Sequence, residues 1–369
     1  MEHYISWILL FAVAEAALTL IQFACRKRTV KKGWRAALIA AKALIAVACA
    51  ALVMAGPVFL RPVQVPMVAL YAALLPDAAA DAVYAAFCAV AKKKRAFAPV
   101  KILSLVFSMS FFVFGTVNMR TVRPAYHTYR SAKLSRTYTV AFAADLHVGS
   151  SQSMATTEKT IAAMKAQNPD FIILGGDITD DYTTKEEMER TYRLFGETGV
   201  PVYFIFGNHE VVQHAEYMKG GLHYTEKELL QTMERNGITV VADEYVELGD
   251  DLLLLGREDA AAPELRKDIR DLANPDPGKF LLVADHQPTK AKDNLTAGTD
   301  LQLSGHTHAG QLFPCGLFFS FVSYNCGNYD LGNGAAMYVS SGASGWRVPF
   351  RTERGCHFEV VTLAPDGAE

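Results

Sequence analysis

The sequence predicts two parts: a multi-pass α-helical membrane region, then an α/β domain with a layered mixed β-sandwich flanked by helices. Three observations predict this. Apolar residues crowd into residues 1–118 of a 369-residue chain whose mean hydropathy is +0.12. Beyond them, short apolar runs alternate with amphipathic stretches, the mark of strands and helices in one layered domain. Finally, polar residues able to bind metals recur directly after those runs, where open α/β sheets place their chemistry. The expected boundaries are 1–120 for the membrane region, 121–136 for a basic juxtamembrane linker, and 137–369 for the α/β domain.

Ile5 to Ala24 is long enough to span a bilayer. Basic residues follow it, at Arg26, Lys27, Arg28, Lys31 and Lys32, whereas a cleaved signal peptide carries its charges first. Ala36 to Leu60 reads as a second span and Ala98 to Val117 as a fourth. Between them, Val63 to Val90 contains Pro66, Pro76, Asp77 and Asp81, and reads as a third span that is broken or starts late. With about four spans, the loops at 26–35 and 92–95 share one side and hold ten Lys and Arg, against six on the other. That bias places both termini, and the α/β domain, outside the cytoplasm. Glu15 and Lys42 fall inside the first two spans; either they reach similar depth and pair, or Lys42 snorkels to the interface while Glu15 faces a neighbouring helix with its proton on. Asp77 and Asp81, spaced i, i+4, either line a polar site or mark the mouth of the third span.

In the α/β part, strands are expected at Tyr138–Ala144, Phe171–Leu174, Val200–Phe206, Ile238–Val241, Leu252–Leu255, Lys279–Val283, Asp300–Leu303, Ala336–Val339 and His357–Leu363. Helices are expected at Met154–Ala166, Lys185–Phe195 and Glu226–Asn236. A net charge of −2 leaves no electrostatic footprint for nucleic acid. None of the six cysteines forms a CxxC pair, so a thiolate metal site is not expected. A Cys315–Cys326 disulfide and free thiols are both open.

Five segments carry the chemistry: Asp145-Leu146-His147, Gly175-Gly176-Asp177, Gly207-Asn208-His209-Glu210, Asp285-His286 and Gly305-His306-Thr307-His308. Carboxylate, imidazole and amide oxygen are the donors that a pair of catalytic divalent cations uses. In this order the segments resemble the calcineurin-like metallophosphoesterase superfamily, with its DxH, GDxxD, GNH[ED], lone His and GHxH pattern, over roughly residues 137–363. The run Ser304 to Gln311 behind membrane spans is similar to the transmembrane metallophosphoesterase subgroup, with Ala309 where Gly is common.

The resemblance implies that Asp145, His147 and His308 hold one metal, that Asn208, His286 and His306 hold a second, and that Asp177 bridges them. It implies two divalent ions (Mn, Fe or Zn) and in-line attack on phosphorus by a bridging hydroxide. His209 would serve the leaving group as proton donor or phosphate clamp, and Asp180 would orient His209. Glu210 reads as a local cap or salt bridge.

The expected activity is hydrolysis of a phosphoester or pyrophosphate that is lipid-linked or part of the cell envelope, with membrane lipids as partners. One alternative is the related UDP-2,3-diacylglucosamine hydrolase activity of lipid A synthesis, which needs a cytoplasmic domain. Another is a non-catalytic metal-binding membrane sensor, for which His209 has no use. The aromatic stretch Leu312 to Tyr324 is either a lid meeting lipid or a buried hairpin. Arg347 and Arg351 are either clamps for a second phosphate or surface pairs.

Overall fold

The computed structural model describes residues 2–26, 32–55, 63–92, 97–211, 223–272 and 274–367. Much of the two basic loops used to orient the spans lies outside these residues. Two compact units result: Met1–Asn118 with Gly310–Phe318 and Phe350–Glu353, and the remainder from Met119 onward.

The first unit is built on helices α1 (Glu2–Arg26), α2 (Lys32–Ala55), α3 (Gln64–Val90) and α4 (Phe97–Arg120). Among the described residues, Ala36–Met54, Gln64–Val90 and Pro99–Arg120 are long and apolar enough to cross a membrane. The apolar stretch of α1, Ile8–Ile21, is shorter. Instead of breaking, α3 runs as one helix through Pro76.

The ionisable residues inside these helices pair differently from the expectation. Lys42 bonds Asp77 at 2.5 Å and Asp81 at 2.7 Å, while Glu15 meets Lys101 at 3.3 Å. Ser104 also donates to Asp77. An isolated charge in an apolar bundle is costly, so each cation takes the carboxylates of the helices packed around it. Asp77 and Asp81 thus line a polar cluster; they do not mark the mouth of a span.

The second unit holds two six-stranded mixed sheets. In the first, β1 (Val122–Ser131), β12 (Cys356–Pro365), β2 (Tyr138–Ala143), β3 (Phe171–Leu174), β4 (Val202–Phe204) and β5 (Ile238–Val240) lie side by side in that order. In the second the order is β10 (Gly327–Gly332), β11 (Ala335–Val339), β9 (Leu301–Ser304), β8 (Phe280–Ala284), β7 (Leu252–Gly256) and β6 (Glu244–Gly249). Strands β2 to β5 are mutually parallel, as are β7, β8, β9 and β11.

Side chains alternate across each strand, and the period of two assigns them to layers. Val140 and Phe142 of β2 face the core between the sheets with Ile173, Leu254, Leu282 and Leu303. Ala141 and Ala143 face outward to α5 (Met154–Lys165), α6 (Lys185–Gly196) and α8 (Glu226–Arg235). Ser153 caps α5, and Thr184 and Thr225 close capping boxes with Glu187 and Glu228 on α6 and α8. Short helices α7 (Asn208–Val211) and α9 (Ala291–Asn294) follow β4 and β8.

Two expectations are corrected here. Residues 122–131 are no linker: β1 pairs in parallel with all of β12. Its charged and aromatic residues hid it, because an edge strand can stay half exposed. The aromatic stretch is no hairpin either, but helix α10 (Cys315–Val322), with Cys315 and Cys326 as free thiols.

Candidate metal centre

All five chemistry-bearing segments leave the carboxyl ends of parallel strands. Asp145 and His147 follow β2, Asp177 follows β3, Asn208 and His209 follow β4, His286 follows β8, and His306 and His308 follow β9. Backbone bonds lock these turns together: Asp145 N–H donates to the Gly176 carbonyl and His147 N–H to that of Asp177. Asp145, His147, Asp177, His306 and His308 all have positive φ, between 44° and 73°. Such backbone persists only where surrounding structure enforces it, and it clusters at functional sites. A side chain on Gly305 would stand 2.6 Å from Asp145 Oδ2, and one on Gly207 would strike the Asp177 carboxylate. Glycine is therefore the residue that lets these loops close on the carboxylates.

Three groups of donors converge: Asp145, His147 and His308; His147, Asp177 and His209; Asp177, His286 and His306. In each, the donor atoms lie within 4.8 Å of one another. The Asp177 carboxylate is 3.2 Å from His286 Nε2 and 3.8 Å from His147 Nε2, so it stands between the two outer groups. His286 Nδ1–H donates to the Gly175 carbonyl at 2.8 Å, and His308 Nδ1 to Ser344 at 3.2 Å. These bonds leave Nε2 of both rings facing inward, where it could ligate a metal.

The site fits divalent ions on its own chemistry. His147 Nε2 and Asn208 Oδ1 are buried and lack hydrogen-bond partners among the described residues, and His286 Nε2 meets only the Asp177 carboxylate, at 3.2 Å. Buried polar atoms are rarely left this way unless something binds them. The proton affinities agree. Burial opposes a charged His147, yet the Asp180 hydrogen bond and the Asp177 charge lift it to about 9. Burial likewise opposes a charged His286, and Asp177 holds it well above its ordinary value. Burial and the neighbouring His286 press His306 down to about 4. The clustered carboxylates thus attract positive charge, which protons supply when no metal does.

Several supports escaped the sequence reading. Asp180 does not orient His209: it accepts from His147 Nδ1 at 3.2 Å and from Ser150 at 2.5 Å. Its place in the GDxxD spacing indicates a supporting carboxylate but not which imidazole it meets. Asp180→Ala should therefore weaken metal binding roughly 10–100-fold at the position held by His147. Metal analysis after graded chelation tests this; unchanged retention would sink it.

Glu210 does more than cap locally. Its buried carboxylate accepts N–H bonds from Asp177, Ile178, Thr179 and Gly207, stapling the β3 and β4 loops together. Burial, with the Asp177 charge beside it, raises Glu210 to about 7 against the pull of those bonds. Asp285 is anchored by both arms of Arg266, at 3.0 and 2.7 Å, and by Asn294 at 2.9 Å, which fixes the adjacent His286.

His209 stands edge-on to His147, ring centroids 5.1 Å apart, and its backbone N–H donates to Asp177 at 2.8 Å. Burial lowers its proton affinity. The Trp346 ring lies 5.9 Å from the His209 ring, and the Arg347 guanidinium stacks on Trp346 at 3.6 Å. Arg347 is thus linked to the site through Trp346. Arg351 is fully buried and belongs to the first unit, which removes it as a surface pair.

A layered α/β domain with Asp, His and Asn donors at its strand ends has the make-up of a divalent-metal centre. Residues 138–310 match the family model described as calcineurin-like phosphoesterase. It is 27% identical over 242 residues to an uncharacterised metallophosphoesterase of Helicobacter pylori, covering 63% of this chain and 61% of the other. It is 26% identical over 284 residues to one of Campylobacter jejuni, covering 71% and 69%. A Danio rerio transmembrane protein with metallophosphoesterase domain is 27% identical over 217 residues, covering 56% and 48%. The chain therefore spans between about half and two thirds of the length of these relatives.

Proposed function

We propose that the chain is a membrane-anchored phosphohydrolase that uses two divalent ions (Mn, Fe or Zn) on a lipid-linked or cell-envelope phosphoester or pyrophosphate. The position of Asp177 between two His-rich donor groups supports the dinuclear reading. Asp145, His147 and His308 would hold one ion, Asn208, His286 and His306 the other, with Asp177 common to both. Two ions there supply Lewis acidity and a lowered water pKa, which is what in-line displacement at phosphorus requires.

The chain's own residues do the rest. Asp180, Gly175 and Ser344 fix the His147, His286 and His308 rings, so donors need no rearrangement. His209 would give a proton to, or hold, the departing oxygen. Arg347, held on Trp346 beside His209, suits a phosphate oxygen of the substrate.

Membrane attachment is supported by the three spanning-length helices on the same chain, and an extracytoplasmic domain by the Lys and Arg bias of the loops. The test pairs two measurements on the full chain. Purified protein should hydrolyse a phosphodiester only with divalent metal, and a C-terminal reporter should be active outside the cytoplasm. Metal-independent or absent hydrolysis would overturn the enzymatic reading. A cytoplasmic reporter signal would overturn the envelope substrate in favour of a nucleotide-linked lipid pyrophosphate.

A further inference from the structure

Among the described residues after Asn118, exposed large apolar side chains concentrate in one stretch. Phe313, Leu317, Phe318, Phe321 and Val322 are 47%, 53%, 54%, 78% and 81% exposed. After Asn118, only Tyr126, Tyr182 and Leu265 join them among the described large apolar residues. No Asp, Glu, Lys or Arg occurs between Asp300 and Asp330. A water-facing surface loop of that composition would be an aggregation hazard; one that lies against lipid would not.

The first unit shows what lies beside this stretch. Tyr71 of α3 donates its hydroxyl to the Phe313 carbonyl at 2.9 Å and meets Thr352 Oγ1 at 2.8 Å. Arg351 N–H donates to the Gly115 carbonyl of α4 at 3.0 Å, and Asn118 donates to the Arg351 and Glu353 carbonyls. Phe350 closes an aromatic cluster with Tyr71, Phe111 and Phe112. Residues 310–318 and 350–353 are therefore built into the helical unit, against the start of α3 and the end of α4.

The level follows from helix geometry. At 1.5 Å per residue, α3 is about 40 Å long, so roughly 5 Å overhangs each side of a ~30 Å hydrocarbon layer. Tyr71, seven residues in, then sits about 10 Å from the helix start, just inside the hydrocarbon edge. The segment it holds lies at that edge.

We propose that α10 and the residues leading into it are a membrane-inserting element, with Phe313, Leu317, Phe318, Phe321 and Val322 in the interfacial layer of the bilayer that α2–α4 cross. The occupant of this apolar surface is lipid. Three grounds support that choice: continuity with the spanning helices, the absence of charge, and aromatic residues, which favour the interface. The insertion rests on the membrane reading of those helices and not on the hydrolase reading. Its consequence for substrate does rest on the latter. His308 lies only seven residues before α10 in the chain, and the consequence expected is a preference for lipid phosphate as substrate.

The test uses the full chain in nanodiscs of phosphatidylcholine and phosphatidylglycerol. Phe321→Cys and Val322→Cys are each labelled with a small fluorophore, with Tyr126→Cys on the exposed edge strand as control. Wild-type chain, treated identically, gives the background from native thiols, and retained metal content certifies folding. Brominated acyl chains should remove most emission at 321 and 322 and little at 126. Emission quenched by aqueous iodide instead would place α10 in water. Protection from both quenchers would mean that a second copy of the chain covers it. Either result overturns the proposal.

A second arm keeps the two readings apart. Phe321→Asp with Val322→Asp should leave hydrolysis of bis(p-nitrophenyl) phosphate unchanged and lose hydrolysis of a lipid phosphate in the same discs. Equal rates on both substrates would refute the consequence for substrate, while loss of all hydrolysis in wild type would refute the enzymatic reading and leave the quenching result standing.

Discussion

Asp177→Asn should strip the protein of both ions and lower kcat/KM by roughly 10³-fold or more, since metal-supplied stabilisation of several kcal/mol disappears. Asp177 is the carboxylate that both outer donor groups approach, 3.2 Å from His286 and 3.8 Å from His147. Burial opposes its charge, yet His286 and His209 hold its proton affinity well below the ordinary carboxylate range. It is therefore ionised and available to cations. Asparagine keeps the size but offers one neutral oxygen in place of two charged ones. Its effect should also spread, because Asp177 receives the His209 N–H and its own N–H is held by Glu210. Elemental analysis of the purified variant decides the matter: two ions per chain would refute the common-ligand role, and one ion would assign Asp177 to a single position.

His209→Ala should separate metal binding from turnover. Two ions should remain, while kcat falls by about 10²–10⁴-fold, the usual worth of positioned proton transfer. The structure offers His147, Asp177 and His209 as a third donor group, so ligation by His209 is a real competitor. The two roles part on the readout. Loss of an ion in proportion to activity would make His209 a ligand. Loss confined to substrates with poor leaving groups, and small for p-nitrophenolate, would identify proton donation.

Much of the site was legible in the sequence because its donors sit on short, local motifs. Asp145 with His147, Asn208 with His209, and His306 with His308 each share one turn after a strand, so chain connectivity alone brings them near one another. Strands β2–β5 and β7–β9 lie where expected for a related reason: buried strands need unbroken apolar runs, and those show without tertiary information, whereas the more exposed β6 gave no such run. What resisted reading lay at edges or bridged distant segments. β1 is an edge strand whose exposed Arg123, Tyr126 and Arg130 mimic a linker. Lys42 has partners 35 and 39 residues away, and no local pattern ranks them above Glu15. Glu210 and Arg266 act through bonds to other loops, for which a single sequence carries no signal.

By itself the sequence determined the class of this protein: apolar helices followed by an α/β domain, with seven oxygen and nitrogen donors placed after its strands. Periodicity, composition and motif order are local properties, and local properties survive in one dimension. Only the tertiary structure decided that Asp177 stands between two donor groups, that Asp180 serves His147, and that Leu312 to Tyr324 yields an exposed helix. Those outcomes depend on which strand ends meet across two sheets and on which surfaces find neighbours to bury them. Packing settles both, and packing is a property of the whole chain.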